Sequence, residues 1–303
     1  MIEYKNKGCD SIKDTVNYIL KIADIYFDVT SFEDAYAQGE FENYMVNDTL
    51  SEGAIRVNCV HTCNTLSEPC GQKLTLKEET NWYQESPGRY SLCFYDSFND
   101  CICAIMTYDN NAREISVTLL DVRKLYDIDD KYFLHNILEY AFRIALVFNG
   151  GFAIHASSIA HEGYGIAFSA ESGTGKSTHT DLWLKNYPGT YILNDDGPAL
   201  RLKDGKWYIY GTPWAGTSGI NANSGVELKA LVFLERSETN IIRDCPTGEA
   251  LKRIFDAIVH PVSDEITNLV LESVSDFFIR SKVCVLGCNI SDDAPKTVKE
   301  YLY

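Results

Sequence analysis

The amino-acid sequence predicts an α/β protein, α+β overall, in which a smaller and mainly antiparallel β domain precedes a larger α/β domain. Three observations support this class. Short runs of β-branched and aromatic residues, separated by turn residues, recur before residue 125. Between 130 and 149 the apolar residues recur every three or four positions, which indicates a helix packed on a core. From 165 to 178 an apolar strand leads through a loop of small residues into a helix. We place the domains at 1–128 and 129–303.

The first domain is predicted to be mostly β-structure. The apolar spacing of 10–22 favours a short amphipathic helix. Strands are predicted at 53–60, 89–95, 101–108 and 114–121, with the second and third forming a hairpin. This domain carries no recognisable catalytic signature, so it is interpreted as a substrate-recognition module or a stabilising cap.

The second domain is predicted to contain both helices and strands. Its first helix, 130–149, should end at Gly150, because glycine is the usual residue just past a helix C-terminus. The other predicted helices are 178–185, 250–260, 263–280 and a closing helix capped by Ser291. The predicted strands are 152–160, 165–169, 191–196, 199–202, 207–210, 227–234 and 282–286.

The composition argues against several classes of partner. The chain of 303 residues has 27 Lys and Arg against 43 Asp and Glu, a formal net charge of −16. Such an acidic surface repels nucleic acid and anionic membranes. The N-terminus has no apolar segment typical of a signal peptide, and no run of about 18 apolar residues occurs. We therefore expect a cytoplasmic protein with neither nucleic acid nor membrane as a partner.

The sequence contains ten cysteines. In a cytosol they should stay reduced and act mostly as small buried hydrophobic residues. A zinc site could be imagined from Cys59, His61, Cys63 and Cys70, but their spacing matches no zinc finger or ribbon and a second pair of ligands is missing. We therefore expect no structural zinc there.

The segment 165–178, Gly-Ile-Ala-Phe-Ser-Ala-Glu-Ser-Gly-Thr-Gly-Lys-Ser-Thr, is the strongest functional signal. It follows the phosphate-loop pattern G-x-x-x-x-G-K-[ST], with Ala170 in place of the first glycine, which narrows the allowed backbone angles there. Backbone N–H groups of such a loop surround a phosphate chain, and the helix N-terminus adds partial positive charge. Lys176 would reach the β- and γ-phosphates, and the Ser177 hydroxyl would bind Mg²⁺. The predicted nucleotide-binding residues are Ser172, Gly173, Thr174, Gly175, Lys176, Ser177 and Thr178.

Two adjacent carboxylates follow within a short distance. Asn194-Asp195-Asp196 ends an apolar strand whose first aspartate comes 19 residues after Lys176. We expect this strand to lie beside the strand before the loop, with its carboxyl end near the γ-phosphate. One carboxylate would then hold Mg²⁺, and the other would orient and deprotonate an incoming hydroxyl.

This combination resembles the nucleotide core shared by HPr serine kinase/phosphorylase and ATP-dependent phosphoenolpyruvate carboxykinase. His155-Ala-Ser-Ser resembles the kinase branch, in which a histidine on that strand lies near the transferred phosphate. Tyr210-Gly-Thr-Pro-Trp-Ala-Gly216 resembles a loop of HPr-kinase-like proteins found beside peptide-modification genes. The similarity covers about residues 130–235 well and the first half hardly at all. It implies a P-loop domain of the HPr kinase/phosphoenolpyruvate carboxykinase type at 129–303.

The resemblance also implies roles for single residues. Lys176 and the loop amides would bind phosphate, and Ser177 and Asp196 would bind Mg²⁺. Asp195 would be the catalytic base, although the roles of the two aspartates could be reversed. His155 would give electrostatic support or exchange a proton. ATP and Mg²⁺ are the implied cofactors, and the implied acceptor is a hydroxyl, above all of Ser, on a peptide, a protein or a small amino acid.

Some features depart from the family. The loop 211–219, which could close over a substrate, lacks the basic residue expected near Thr217, and the downstream signature of HPr kinases is not recognisable. A nucleotide-binding regulatory module without turnover and a carboxykinase-type lyase therefore remain alternatives. Arg236, Arg243 and Arg253 are candidates to stabilise transferred charge, and no spacing rule selects among them. The acceptor, the nucleotide base and the oligomeric state, a homo-oligomer included, stay open.

Overall fold

A computed structural model describes residues 15–31, 39, 41–47, 53–75, 80–96, 101–120, 130–258 and 264–303. Within these ranges the chain forms two large β-sheets and five α-helices, which confirms the predicted mixed α/β class. The helices are α1 (Asp130–Phe148), α2 (Lys176–Asn186), α3 (Thr247–Ala257), α4 (Asp264–Arg280) and α5 (Asp293–Leu302). None of the described helices is both long enough and apolar enough to cross a lipid bilayer.

The first sheet is built from the N-terminal part of the chain. Its strands are β1 (Val16–Ile22), β2 (Ile25–Ser31), β3 (Met45–Val46), β4 (Ile55–Thr62), β5 (Gln72–Lys73), β6 (Thr80–Ser86), β7 (Arg89–Asp96), β8 (Cys101–Asp109) and β9 (Glu114–Leu120). Their order across the sheet is β3-β1-β2-β4-β9-β8-β7-β6-β5. The described neighbours pair antiparallel, apart from β4, which runs parallel to both β2 and β9.

The predicted helix over 10–22 is wrong where the structure describes it, because 16–22 forms β1. Alternate side chains of this strand, those of Tyr18, Leu20 and Ile22, are buried. The chain turns back into β2 through Ala23 and Asp24, whose φ angles of 51° and 58° are both positive, as a type I′ hairpin turn requires. Pairing with β2 and burial of one face thus override a local spacing that favours helix. Positions 10–14 lie outside the described residues.

The second sheet carries the predicted site. Its strands are β10 (Gly151–Ala153), β11 (Ser157–His161), β12 (Tyr164–Ser169), β13 (Tyr191–Asn194), β14 (Ala199–Lys203), β15 (Lys206–Tyr210), β16 (Gly225–Arg236), β17 (Ile241–Asp244) and β18 (Lys282–Cys288). Most lie in the order β10-β14-β15-β16-β12-β11-β13, and β18 pairs with both β16 and β17. Gly150, with a φ of 73°, follows α1 as predicted.

Three details of this sheet differ from the prediction. The strand predicted at 152–160 is interrupted, and residues 154–156 separate β10 from β11. The strand 191–194 does not lie beside β12, because β11 pairs with both and separates them. The strand 241–244 was not predicted, since its sequence is short and half polar. The interruption is the most consequential difference, because it releases His155 from regular strand pairing.

Both faces of the second sheet are covered. On one face α2 and α5 pack through an apolar cluster that includes Phe168, Trp183 and Val298. On the other face, α1 and α4 belong to a core cluster that continues into the first sheet. Within it, the Phe142 ring on α1 lies 6.0 Å from the Phe27 ring of the first sheet. The proposed division at 128/129 stays a prediction, but one hydrophobic core spans it.

Candidate active site

The loop between β12 and α2, residues 170–175, is called the glycine loop below. Gly173 and Gly175 have φ values of 76° and 113°, which glycine adopts without the strain that a Cβ would cause. Ala170 is not among the described non-glycine residues with positive φ. Alanine at the position of the first motif glycine therefore causes no backbone strain of that kind.

Lys176 begins α2 and its side chain folds back over the glycine loop. The residue is only 8% exposed. Its ammonium group donates to the Ala170 carbonyl oxygen at 3.1 Å and lies 2.9 Å from Nε2 of His155. Burial lowers the pKa of Lys176, while the charges of Asp196 and Asp195 oppose that shift. A buried cation held by two neutral acceptors is suited to receive an anion.

His155 connects Lys176 to one of the two aspartates. Its Nδ1 lies 3.1 Å from Oδ1 of Asp196. A lysine ammonium only donates, so Nε2 accepts and the ring proton is on Nδ1, directed at the carboxylate. This hydrogen bond from His155 is the main reason why the pKa of Asp196 is lowered. The result is a hydrogen-bonded chain of Lys176, His155 and Asp196.

Asp195 faces a different set of groups. Its Oδ1 accepts a 2.6 Å hydrogen bond from the Ser157 hydroxyl, and its Oδ2 accepts one of 3.2 Å from the Ser177 hydroxyl. Ser157 is also 3.1 Å from the Thr180 hydroxyl on α2. The serine of the motif therefore lies beside Asp195, whereas the sequence-based prediction grouped it with Asp196 as the Mg²⁺ ligands.

Asn194 fixes the turn that presents both aspartates. Its buried side-chain oxygen accepts from the backbone N–H groups of Asp196 at 2.9 Å and Gly197 at 2.7 Å. Its amide donates to the Thr212 carbonyl oxygen at 2.9 Å. Sequence reasoning missed the roles of Asn194 and Ser157. The tendency of asparagine to bond the backbone two residues ahead is a signal that could have suggested the first; no comparable signal identifies the second.

These groups surround a cavity of about 350 Å³, here called the loop cavity. It is lined by His155, Ser172, Gly173, Gly175, Lys176, Ser177, Thr178, Asp195, Asp196 and the residues 215–218. Thr174, the remaining predicted nucleotide ligand, is not part of the lining, and its backbone N–H bonds to the Glu171 carbonyl oxygen. The structure thus brings the predicted catalytic residues and part of the 211–219 loop to one place.

The three candidate arginines differ in the groups that they contact. Arg236 donates from a guanidinium nitrogen to the Gly173 carbonyl oxygen at 2.7 Å, so it touches the glycine loop. Arg243 forms a two-point ion pair with Glu249. Arg253 bonds Glu249 and Glu235 instead. Arg236 is therefore the one of the three that contacts the loop itself.

Mg²⁺ is the metal that the motif implies at this site. Within the described ranges, no group of three or more His, Cys, Asp and Glu side chains is arranged to hold a metal ion. Mg²⁺ at nucleotide sites commonly takes only one or two protein oxygens, with water and phosphate completing six. The Ser177 hydroxyl and the Asp195 carboxylate, 3.2 Å apart, meet that requirement. The residues present therefore fit the ion.

Comparisons with known proteins do not identify a family for this chain. No family model matches the chain, and no curated protein matches it significantly. One solved structure that it matches is the HPr(Ser) kinase/phosphatase from Coxiella burnetii. The match has 12% sequence identity and a TM-score of 0.31, and covers 49% of this chain and 95% of that chain. A similarity this low identifies neither a family nor an activity.

Proposed function

We propose that this protein is an ATP- and Mg²⁺-dependent phosphotransferase that moves the γ-phosphate of ATP to a hydroxyl group, with 129–303 as a P-loop domain of the HPr kinase type. The observation on which this proposal rests is that the glycine loop, the buried Lys176 and both aspartates line a single cavity. A phosphate-binding loop alone would suit any nucleotide-binding protein. Phosphoryl transfer to a hydroxyl also needs a metal ligand and a base. Two adjacent carboxylates with different hydrogen-bond partners, Asp195 and Asp196, can fill these two roles.

Phosphate binding is assigned to the glycine loop and Lys176. In the structure the lysine ammonium contacts the Ala170 carbonyl oxygen and the His155 ring, both of which are neutral. Phosphate oxygens would be stronger partners, because hydrogen bonds between ionised groups exceed those to neutral acceptors. Binding of the nucleotide would therefore relieve the cost of burying Lys176.

Metal binding is assigned to Ser177 and Asp195. Bound Mg²⁺ would neutralise charge on the β- and γ-phosphate oxygens. The Ser157 hydrogen bond holds the Asp195 carboxylate in a fixed orientation toward the start of α2. This assignment reverses the order of the two aspartates that the resemblance suggested.

Asp196 is assigned as the base. Its carboxylate is ionised at neutral pH, with a pKa lowered chiefly by the His155 hydrogen bond. Because a lowered pKa weakens a base, the assignment rests on its position in the loop cavity beside His155 and Lys176 and not on its basicity. The acceptor hydroxyl gives that proton to Asp196 as its oxygen bonds to the γ-phosphorus. The bond from this phosphorus to the β,γ-bridging oxygen breaks, and ADP leaves. His155 orients the carboxylate through its Nδ1–H hydrogen bond, and the charge of Lys176 balances that of Asp196.

The test compares three variants by ATP affinity and ADP release. Lys176→Ala should weaken ATP binding by at least tenfold. Asp196→Asn should keep the ATP affinity within about threefold and lower turnover by about 10²–10⁴-fold, the range expected for a lost general base. Asp195→Asn should raise the Mg²⁺ concentration that gives half-maximal turnover. Asp181→Asn, an exposed carboxylate on α2, is the matched control.

Each outcome can contradict the proposal. Unchanged ATP affinity in Lys176→Ala would remove the phosphate-binding assignment. Normal turnover in Asp196→Asn would remove the assigned base. ATP binding without any ADP release by the unmodified protein would favour a regulatory nucleotide-binding module, and CO₂ release or fixation with phosphoenolpyruvate would favour a lyase.

A further inference from the structure

A second cavity, of about 570 Å³, adjoins the loop cavity. It is called the α3 cavity here, because it lies between the glycine loop, the end of β16 and one face of α3. His155 and Ser172 line both cavities. The volume is within the range of small-molecule sites. No local sequence pattern indicates this cavity, since its walls come from segments about 80 residues apart.

The direction of the phosphate chain assigns this cavity to the acceptor side. In loops of this kind the lysine reaches the β- and γ-phosphates. The partners of the Lys176 ammonium here are His155 and Ala170, and both residues also line the α3 cavity. The γ-phosphate end of a bound nucleotide would therefore face the α3 cavity, so a hydroxyl placed there could reach the phosphorus.

The walls of the α3 cavity are held in place by direct contacts. The backbone N–H of His155 donates to the backbone carbonyl oxygen of Ala257, at the end of α3, at 2.9 Å. Arg253 on α3 forms an ion pair with Glu235 at the end of β16. The same guanidinium lies over the Phe233 ring, 5.5 Å from its centroid. The cavity is therefore attached to the residue that links Lys176 and Asp196.

The charges in the cavity indicate what it would bind. Arg253 is already neutralised by Glu235 and Glu249. Lys252 and Asp256 are exposed and one helical turn apart on α3, and among the described residues neither has an ion pair or a side-chain hydrogen bond. Glu171 of the glycine loop, which is also exposed and lines the cavity, likewise has no ion pair or side-chain hydrogen bond among the described residues. One free cation and two free carboxylates next to an aromatic ring match a ligand that carries both an anionic and a cationic group, a zwitterion, better than a multiply charged anion or an apolar group.

We propose that the α3 cavity binds the acceptor, and that the acceptor is a free hydroxyl-bearing amino acid. Its carboxylate would pair with Lys252, and its ammonium group would pair with Asp256. Its hydroxyl would lie at the junction near His155 and give its proton to Asp196 as the phosphorus–oxygen bond forms. This inference rests on the proposed phosphotransferase function and adds the substrate class to it.

The first experiment measures ADP release with L-serine, L-threonine and L-homoserine as acceptors, with a Ser-containing peptide for comparison. At least one free amino acid should raise the rate of ADP release and yield its phosphate ester by ³¹P NMR. N-acetyl-L-serine and L-serinamide, which lack the cation and the anion respectively, should have a KM at least tenfold above that of L-serine if L-serine is the acceptor. For threonine or homoserine, the corresponding derivatives are used.

The second experiment connects each charge to its partner. Lys252→Gln and Asp256→Asn should each raise the KM for the amino acid about tenfold or more, as expected for a lost charged hydrogen bond. The Lys252→Gln penalty should disappear when the amide is the acceptor, and the Asp256→Asn penalty should disappear with the N-acetyl derivative. Lys296→Gln on α5 and Asp181→Asn on α2 are exposed controls that should change neither KM.

The results separate this inference from the function that it rests on. No ATP binding would overturn both. ATP binding and slow hydrolysis without stimulation by any free amino acid would overturn the acceptor assignment alone, as would activity on the peptide only. If Lys252→Gln and Asp256→Asn weakened ATP binding more than acceptor binding, the cavity would be assigned to the nucleotide base and the inference would be wrong.

Discussion

At the scale of single residues, Gly216 illustrates how closely the opposite loop approaches the site. Its φ of +61° is in the left-handed region, and a Cβ added there would lie 3.0 Å from both Cβ and Cγ of Asp196. We expect Gly216→Ala to displace the Asp196 carboxylate from His155 and to lower turnover by about 10–100-fold, since displacements of about 1 Å have effects of that size. Turnover at saturating substrate is the measurement.

The matched control for this prediction is Gly219→Ala. Gly219 has nearly the same φ, +65°, but nothing lies within 4 Å of its added Cβ. Both variants should lose about 1 kcal/mol of unfolding free energy from backbone strain, and turnover should fall only in Gly216→Ala. Equal losses of turnover would mean that backbone strain, rather than contact with Asp196, accounts for the effect.

The sequence predicted most of the residues that line the loop cavity but few of their contacts. Lys176, Ser177 and the two aspartates could be predicted because a local pattern carries them. The pairing of Ser177 with Asp195 could not, because it depends on β11 lying between β12 and β13 and bringing Ser157 against Asp195. Strand order thus determines which aspartate hydrogen-bonds which side chain, and no local motif specifies strand order.

At the scale of elements, α2 is notable for burying a histidine. His179 is 3% exposed, and its ring lies 4.5 Å from the Phe168 ring. Nε2 accepts from the Trp183 indole at 3.3 Å, while Nδ1 has no hydrogen-bond partner among the described residues. Burial lowers the pKa of His179 from its ordinary 6.5 to about 4. The folded protein therefore holds this ring neutral over a pH range in which the unfolded chain is protonated.

This shift predicts a pH dependence of stability with a definite sign. Between pH 6.5 and 4 the unfolded state binds the proton more tightly, so the unfolding free energy should decrease as the pH falls, by up to about 3 kcal/mol from this group. Denaturant unfolding of the natural protein and of His179→Gln across this range is the measurement. The variant should lose less stability on acidification. Parallel curves for the two proteins would show that His179 is not responsible.

Elements also show where sequence patterns fail. The spacing of 10–22 favoured a helix, yet 16–22 is a strand, because a tight hairpin and a buried sheet face outweigh weak local preference. The run 152–160 looks like one strand, yet it breaks at 154–156. There the backbone bonds to other segments, including Ala156 N–H to the Asp196 carbonyl oxygen at 3.0 Å. Local patterns identified long elements such as α1 and missed interruptions that tertiary contacts cause.

At the scale of the whole molecule, the segment just before β3 supports the loop that lines the site. The Tyr44 hydroxyl donates to the Asn221 side chain at 2.9 Å. The Phe41 ring meets the Trp214 ring edge-on at 5.8 Å. Trp214 in turn stacks on Phe142 of α1 at 5.1 Å. The N-terminal part of the chain therefore contributes to the placement of residues 211–221, which is a structural role independent of any part in substrate recognition.

This continuity predicts that the second half does not fold stably alone. Without the first sheet, α1 would expose apolar residues such as Phe142, and Lys203 and Tyr210 would lose their partner Asp24. The Asp24 carboxylate accepts from the Lys203 ammonium at 2.8 Å and from the Tyr210 hydroxyl at 3.2 Å. A chain of residues 129–303 should lack a cooperative thermal transition and bind a hydrophobic dye, since a large apolar surface would be uncovered. Co-expression with residues 1–128 should restore both the transition and ATP binding.

The full chain should unfold in one step, because its two sheets share one core. A soluble monomer of 129–303 that melts cooperatively near the temperature of the full chain would show instead that the two parts are independent domains.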